Sequence, residues 1–522
     1  MRSERKLTAA AATIIGAMAL CSPAQGSDVS RLQTPLEKSG YTRITSASEV
    51  SSFLKTIEKV ELRARRATIG VSTGGKPLDA LFVSEALNAL AGGGAPGRRL
   101  RVMVVGSVHG NEPAGGEAIL MLARDLVHAS PRGLLGLMEF ILVPVGNPDG
   151  RDSGMRVNPG TINLAALKSP ENRALVDIIV RWQPDVFIDL HEATSYKPET
   201  LARQGYLTDF EVQIEIANNP NVDAAIRALS AEQLRPAILS RLRQDGLSAN
   251  AYIGEIRDIG QSIAHGNLTV RNLRNRAAMS GAFSLLVETR LDPPGGSYPT
   301  PQNIRARTER QFRTLRTIIL VCLAQYRDIA ARSRAARTAW QQRKAGERVF
   351  LVASYAPDPR RKTISIALRR IADGEVEQRT FPYLGRIVRS RALELPAAYA
   401  ITAHQDAIRP VLERQHIRFR VLGEPRECRA TVQKVSMREN AGSPPRRTSA
   451  RINIEDRDAL VRLPVKTLWI PLRQPARRLI PLLLEPGSNS SLYERGDYAS
   501  LVEPGRDFFI LRIPGECGGG RR

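Results

Sequence analysis

Cysteine and histidine are scarce in this chain of 522 residues, with four of the first and six of the second. Four cysteines are too few to staple a chain of this length, so a disulfide framework is excluded and the core must form by burial. Cys21 falls in an N-terminal leader, leaving Cys322, Cys428 and Cys517. That odd count allows at most one internal bridge, and Cys428 with Cys517 is the pair to consider. Cys322 lies in an apolar helical stretch and reads as a buried thiol. Long apolar runs are also missing. The run over residues 7–20 has 14 residues, short of the roughly 20 that span a bilayer core, and no later run is long enough. Acidic residues are in deficit: 52 Asp and Glu face 76 Lys and Arg, giving a net charge of +24 and a pI near 10.5. Such a surface attracts anions, whether nucleic acid, an acidic cell envelope or an acidic substrate; an Arg-rich surface without a partner is the alternative. The 40 Gly and 33 Pro show no period, which excludes a collagen-like chain, and 42% hydrophobic with 25% charged residues excludes wholesale disorder.

At the N-terminus, Arg2, Arg5 and Lys6 precede the apolar run, and Ser22 and Ala24 stand where a signal peptidase reads small residues. Residues 1–24 therefore read as a cleaved secretory signal; the bulky Leu20 before Cys21 argues against lipoprotein processing. An exported chain is periplasmic or secreted, and a nucleic-acid partner is not expected.

The mature chain divides by pattern, within the two to four domains its length allows. Residues 25–97 lead into a segment, 98–345, where strand-like and helix-like stretches alternate. Residues 100–108, 140–145, 186–190 and 283–287 read as buried strands. Residues 113–128 have helical periodicity. Ser169-Pro170-Glu171 opens a helix running to about Trp182, with a Ser cap, Pro at the first position and an acidic first turn. A long helix is expected over residues 302–345. This alternation argues for a mostly parallel sheet covered on both faces. Residues 195–279 read as an insertion over the sheet's edge. Residues 346–522 read as a smaller β-rich domain, with 440–448 as a loop. No internal repeat is visible.

Three polar segments fall at the C-terminal ends of these strands, where open α/β sheets place ligands. They are Val108-His109-Gly110-Asn111-Glu112-Pro113, Asp189-Leu190-His191-Glu192 and Leu286-Val287-Glu288-Thr289-Arg290. If the turn after the first strand wraps back, His109 and Glu112 converge, and His191 adds a third ligand from a parallel strand. Two imidazoles, one carboxylate and an open fourth position form the ligand set of a hydrolytic zinc site. Such an ion polarises a carbonyl and lowers the pKa of its water towards 7. Glu288 is placed to take the water's proton and pass it to the leaving amine. Asp189 shares the strand face of His191 and is positioned to orient it; Glu192 reads as mostly structural. A lone His at a strand end is more often structural than a ligand, and His128, His265, His404 and His416 are read so.

Together these residues resemble the M14 zinc carboxypeptidases, with kinship to the succinylglutamate desuccinylase/aspartoacylase group. The resemblance rests on His109-Gly-Asn-Glu112, Asn147-Pro148-Asp149-Gly150, Arg156-Val-Asn158-Pro-Gly160-Thr-Ile-Asn163-Leu164, Ser169-Pro-Glu171, Asp189-Leu-His191 and the strand ending in Glu288, in the family's order. It implies a three-layer α/β/α fold with a mixed, mostly parallel eight-stranded sheet. It also implies one Zn2+ per chain on His109, Glu112 and His191, with Glu288 as general base. The same ligand types accept cobalt or manganese. An Arg that steadies the scissile carbonyl oxygen usually accompanies the metal; Arg156 is the first candidate and Arg151 the second, an interaction worth about 3 kcal/mol for oxyanion donors generally. The C-terminal residues Leu395-Pro-Ala-Ala-Tyr399, Leu468-Trp-Ile-Pro471, Gln474 and Leu482-Leu-Leu-Glu-Pro486 resemble a segment appended to some bacterial members, without ligand or nucleophile spacing.

One departure stands out. The family's Asn-Arg pair, which grips a terminal carboxylate, is replaced after Asn163-Leu164 by Ala165-Ala166. Three readings follow, in order. Another Arg substitutes, with Arg271, Arg274 and Arg276 before the Glu288 strand; Arg151, Asn163 and Arg271 are the substrate-side candidates. Or the substrate lacks a free carboxylate there, as for an amidase or deacylase. Or only metal binding survives. The expected function is an exported zinc metallocarboxypeptidase acting on peptides. The alternatives are a zinc amidohydrolase on N-acyl amino acids or amidated peptides, and a non-catalytic basic protein on an anionic envelope.

Overall fold

The computed structural model describes residues 32–93, 97–128, 133–156, 165–197, 199–291, 303–342, 346–439, 451–494 and 496–517. The leader expected at 1–24 and the candidate Asn163 lie outside them. Among the described residues no helix is long and apolar enough to cross a membrane.

Eight strands form one sheet: β1 (Ala64–Val71), β2 (Pro77–Val83), β3 (Leu100–Gly106), β4 (Met138–Val143), β5 (Val186–Ala193), β6 (Val212–Ile216), β7 (Ala249–Ala251) and β8 (Phe283–Arg290), in the order β1-β2-β4-β3-β5-β8-β6-β7. The central strands β4, β3, β5 and β8 run parallel, with antiparallel pairs on either side. All residues of β3 are buried, because helices cover both faces. Val102 and Val104 face the core formed with α1 (Ala47–Val60), α2 (Ala114–His128) and α5 (Ile304–Ala324). Met103 and Val105 face the core formed with α3 (Pro170–Trp182) and α4 (Leu273–Met279). This is the expected α/β/α architecture with a mixed sheet.

Three expectations change. The sheet begins at β1 rather than at residue 98, because Ala64–Val71, with two Arg, is an edge strand in which only Ala64 is buried, a weak sequence signal. The stretch from 195 to 279 does not only lie over the edge: it supplies β6 and β7, which extend the sheet beyond β8. The long helix is two, α5 and α6 (Tyr326–Thr338), parted at Gln325, whose amide turns to Cys322 O. The break returns α6 to the N-terminal ends of the strands, where Arg337 Nη1 meets Asp185 Oδ1 at 2.8 Å.

The C-terminal part is β-rich as expected, with a six-stranded sheet and the ribbon Arg348–Ala356 with Arg386–Glu394. Thr363–Arg370 pairs with Tyr206–Thr208 of the α/β/α part. A bridge joins Cys428 to Cys517, and Cys322 is a buried free thiol. The two parts share a core: Ala165, Ala166 and Val270 pack with Ile408, Leu412 and Leu483, under α7 (Gln405–Arg414).

Candidate metal centre

The turn after β3 is wound so tightly that His109 and Glu112, three residues apart, meet. Ser107 takes a left-handed backbone conformation (φ 48°), and Glu112 N donates to His109 O at 3.1 Å. Gly110 lies flat against Gly150: a Cβ there would fall 1.9 Å from the Gly150 carbonyl carbon. Only glycine permits this approach, and it ties the His-Gly-Asn-Glu turn to the Asn-Pro-Asp-Gly segment. That segment is itself a capped helical turn, with Asn147 Oδ1 accepting from Gly150 N at 2.9 Å, and Asp149 accepts from Gly74 N.

His109, Glu112 and His191 form a cluster with ligand atoms within 4.8 Å of one another. His109 Nδ1 lies 2.9 Å from Glu112 Oε1, and His191 Nδ1 lies 2.8 Å from Glu112 Oε2 and 3.0 Å from His109 Nδ1. A tetrahedral zinc with bonds of 2.0–2.2 Å separates its ligands by about 3.4 Å, so a few tenths of an ångström of opening seats an ion. The donor set and spacing fit zinc. The other described histidines lie outside this cluster. Asp189 Oδ1 is 3.0 Å from His191 Nε2, behind the ligand. Burial works against ionisation of Glu112, yet the hydrogen bonds with His109 and His191 hold its carboxyl well below the usual range. Burial also opposes a charged His191, and Asp189 and Glu112 overcome it, raising its pKa; for His109 burial prevails and the pKa falls.

Glu288 stands directly opposite His191 in the β5–β8 register. Burial pushes its carboxyl up to about 7, with His191 and Arg156 pulling down and Glu112 and Asp189 pushing up. The side chain of Arg156 is 57% exposed and its guanidinium pairs with Glu112 Oε1, so it overhangs the cluster.

Of the other Arg candidates, Arg276 lines a cavity with Gln183 and Gly281 at the far end of the sheet, and the remaining three are committed elsewhere. Arg151 is fully buried: it pairs with Glu117 and donates to Thr45 O, Ser107 Oγ and Pro113 O, tying the turn from beneath. Arg271 donates to Ser491 O at 2.6 Å and pairs with Glu494, joining the two parts of the chain. Arg274 donates to Asn218 and Asn267 O. At the expected carboxylate clamp, Ala165 O and Ala166 O accept from Gln415 and Arg414 at the end of α7, so these positions are closed over. Two supporting residues escaped sequence reading. Arg307 grips Glu192 through both carboxylate oxygens, at 2.8 and 2.9 Å, and Gln311 donates to His191 O at 2.7 Å. Their only signal is an i,i+4 polar pair on the buried face of α5.

The zinc carboxypeptidase family model matches residues 50–161. Carboxypeptidase 2 of Trichophyton rubrum is 28% identical over 202 residues, covering 37% of each chain; Carboxypeptidase 2 of Trichophyton tonsurans is 27% identical over 201 residues, again 37% of each. The match thus spans under two-fifths of these relatives. Among solved structures, a metallo-carboxypeptidase from Pseudomonas aeruginosa is 17% identical with TM-score 0.40, covering 55% of this chain and 71% of that one. Carboxypeptidase A from Helicoverpa armigera is 18% identical with TM-score 0.41, covering 63% and 82%. The family match takes in His109 and Glu112, and over residues 50–161 the chain is similar to the zinc carboxypeptidases.

Proposed function

We propose that this chain is a zinc-dependent metallocarboxypeptidase, hydrolysing the C-terminal peptide bond of peptides. The observation that carries the proposal is the convergence of His109, Glu112 and His191, with Glu288 in register beside His191. Zinc held by those three side chains supplies Lewis acidity, lowering the pKa of water and polarising a carbonyl. Glu288 takes the proton of the attacking water and delivers it to the leaving amine, a role suited to a carboxyl raised to about 7. Arg156, exposed above the cluster, faces the developing oxyanion. Asp189 holds His191 from behind. The leader at 1–24 and the charge of +24 support action outside the cell, near an anionic envelope.

A second reading rests on Ala165 and Ala166, which are buried beneath α7 with their carbonyls taken. A site without a clamp there suits an amidohydrolase for N-acyl amino acids or amidated peptides. Glu288→Gln tests both enzymatic readings: turnover should fall about a hundredfold or more with bound zinc unchanged. Undiminished turnover would remove Glu288 from the chemistry.

A further inference from the structure

A cavity of about 750 Å³ lies between the α/β/α part and the C-terminal part. Gln183 and Gly281, in the connections leading into β5 and β8, line it. It therefore sits at the end of the sheet opposite the metal cluster: Val186 to His191 alone spans roughly 17 Å of strand. Its volume falls within the range of small-molecule sites, which favour such junctions.

The lining is cationic. Arg337, Arg477 and Arg478 are paired with Asp185 and Glu347. Arg276, Arg334 and Arg418 pair with no carboxylate among the described residues. Among the described residues the Arg334 side chain donates to Ala330 O of its own helix, and Arg418 stacks over Trp340, with 5.4 Å from guanidinium to ring centroid, and reaches Arg473 O at 3.5 Å. Asp223, the lining carboxylate, is occupied in capping a helix at Ala225 N and Ile226 N.

Arg276 is the focus. Only 5% of it is exposed, and among the described residues its side chain has no hydrogen-bond partner; its Nε is fully enclosed. Burial alone lowers its pKa, to about 10, with no countercharge in opposition. An unpaired buried guanidinium is costly, and its fork is shaped to take two oxygens of one anion.

We propose that this cavity is a second binding site, for a small molecule carrying a carboxylate or phosphate that seats on Arg276 and is flanked by Arg334 from one part of the chain and Arg418 from the other. Because both parts contribute, the ligand ties them together and stabilises their docking. The site is independent of the catalytic reading.

The test is titration calorimetry on the full mature chain with inorganic phosphate and, separately, succinate. Saturable binding of either anion is expected, the preferred one indicating the ligand class. Arg276→Met should weaken it at least about tenfold, while zinc content and ligand-free hydrolysis stay at wild-type levels. Arg334→Gln and Arg418→Gln, at exposed positions, should each weaken binding as well, and they carry the test if Arg276→Met does not fold. Absence of saturable binding of both anions, or equal affinity in wild type and variants, would overturn the proposal; equal affinity would place the anion elsewhere, at the metal.

Discussion

Arg307→Met removes the cation that neutralises Glu192, deep behind the metal cluster. Both side chains are almost fully enclosed, at 3% and 0% exposure. Glu192 accepts two hydrogen bonds from Arg307 and one from Ala114 N at 2.9 Å. With Arg307 gone, the buried carboxylate keeps, among the described residues, only the Ala114 amide, and breaking a buried pair from one side costs about 3–5 kcal/mol. Glu192→Gln in the same background removes the stranded charge and should restore at least about 2 kcal/mol, appearing as coupling in a double-mutant cycle. The pair also bears on the metal, because Glu192 N donates to Glu112 Oε2 at 3.2 Å, one residue from His191. Zinc affinity should therefore drop about 10–100-fold in Arg307→Met. Urea unfolding of the metal-free chain and competition with a chromogenic chelator measure the two effects. A loss under about 1 kcal/mol, or a double variant as unstable as the sum of the singles, would show that Arg307 does not neutralise Glu192.

Reducing the Cys428–Cys517 bridge, which closes a separation of 89 residues, should cost the C-terminal part about 4–5 kcal/mol on loop entropy, seen as a lower-melting transition with dithiothreitol. Gly110→Ala drives a Cβ into the Gly150 carbonyl and should abolish zinc retention on dialysis, whereas Gly154→Ala, with no atom within 4 Å of its added Cβ, should keep it despite a positive φ. Glu49, bonded first to Arg43 and then to Ser46 N, has its carboxyl held down at about 2 against an ordinary 4.5. Its folded-state pKa is depressed, so its stabilising contribution is complete above about pH 4.5 and disappears as the pH falls towards 2. Thermal melts of wild type and Glu49→Gln should differ at neutral pH and converge across that window.

The central strands and their ends were legible in the sequence because a strand buried on both faces carries an unbroken apolar run, as in Leu100–Gly106, and closes on a polar turn. His109, Glu112, His191 and Glu288 could be read because strand periodicity and the parallel arrangement set which ends meet. Edge elements were not legible. Ala64–Val71 carries two adjacent Arg and no apolar run, and Ala249–Ala251 is three residues long. The Arg candidates could not be sorted for a related reason. Arg151, Arg156, Arg271 and Arg276 look alike in sequence, and only the fold shows that the first and third are tied to carboxylates and carbonyls while Arg156 overhangs the cluster. Ala165-Ala166 was visible as a departure, but its burial under α7 required the C-terminal part to be in place.

The most direct test of the account measures zinc and hydrolysis on the same preparation of residues 25–522. Peptides with free and amidated C-termini are followed by mass spectrometry, with and without chelator. One equivalent of zinc and chelator-sensitive loss of a single C-terminal residue, from the free-acid peptides alone, are expected. A preparation that binds no metal at His109, Glu112 and His191, or that hydrolyses peptides equally well after the metal is stripped, would contradict that expectation.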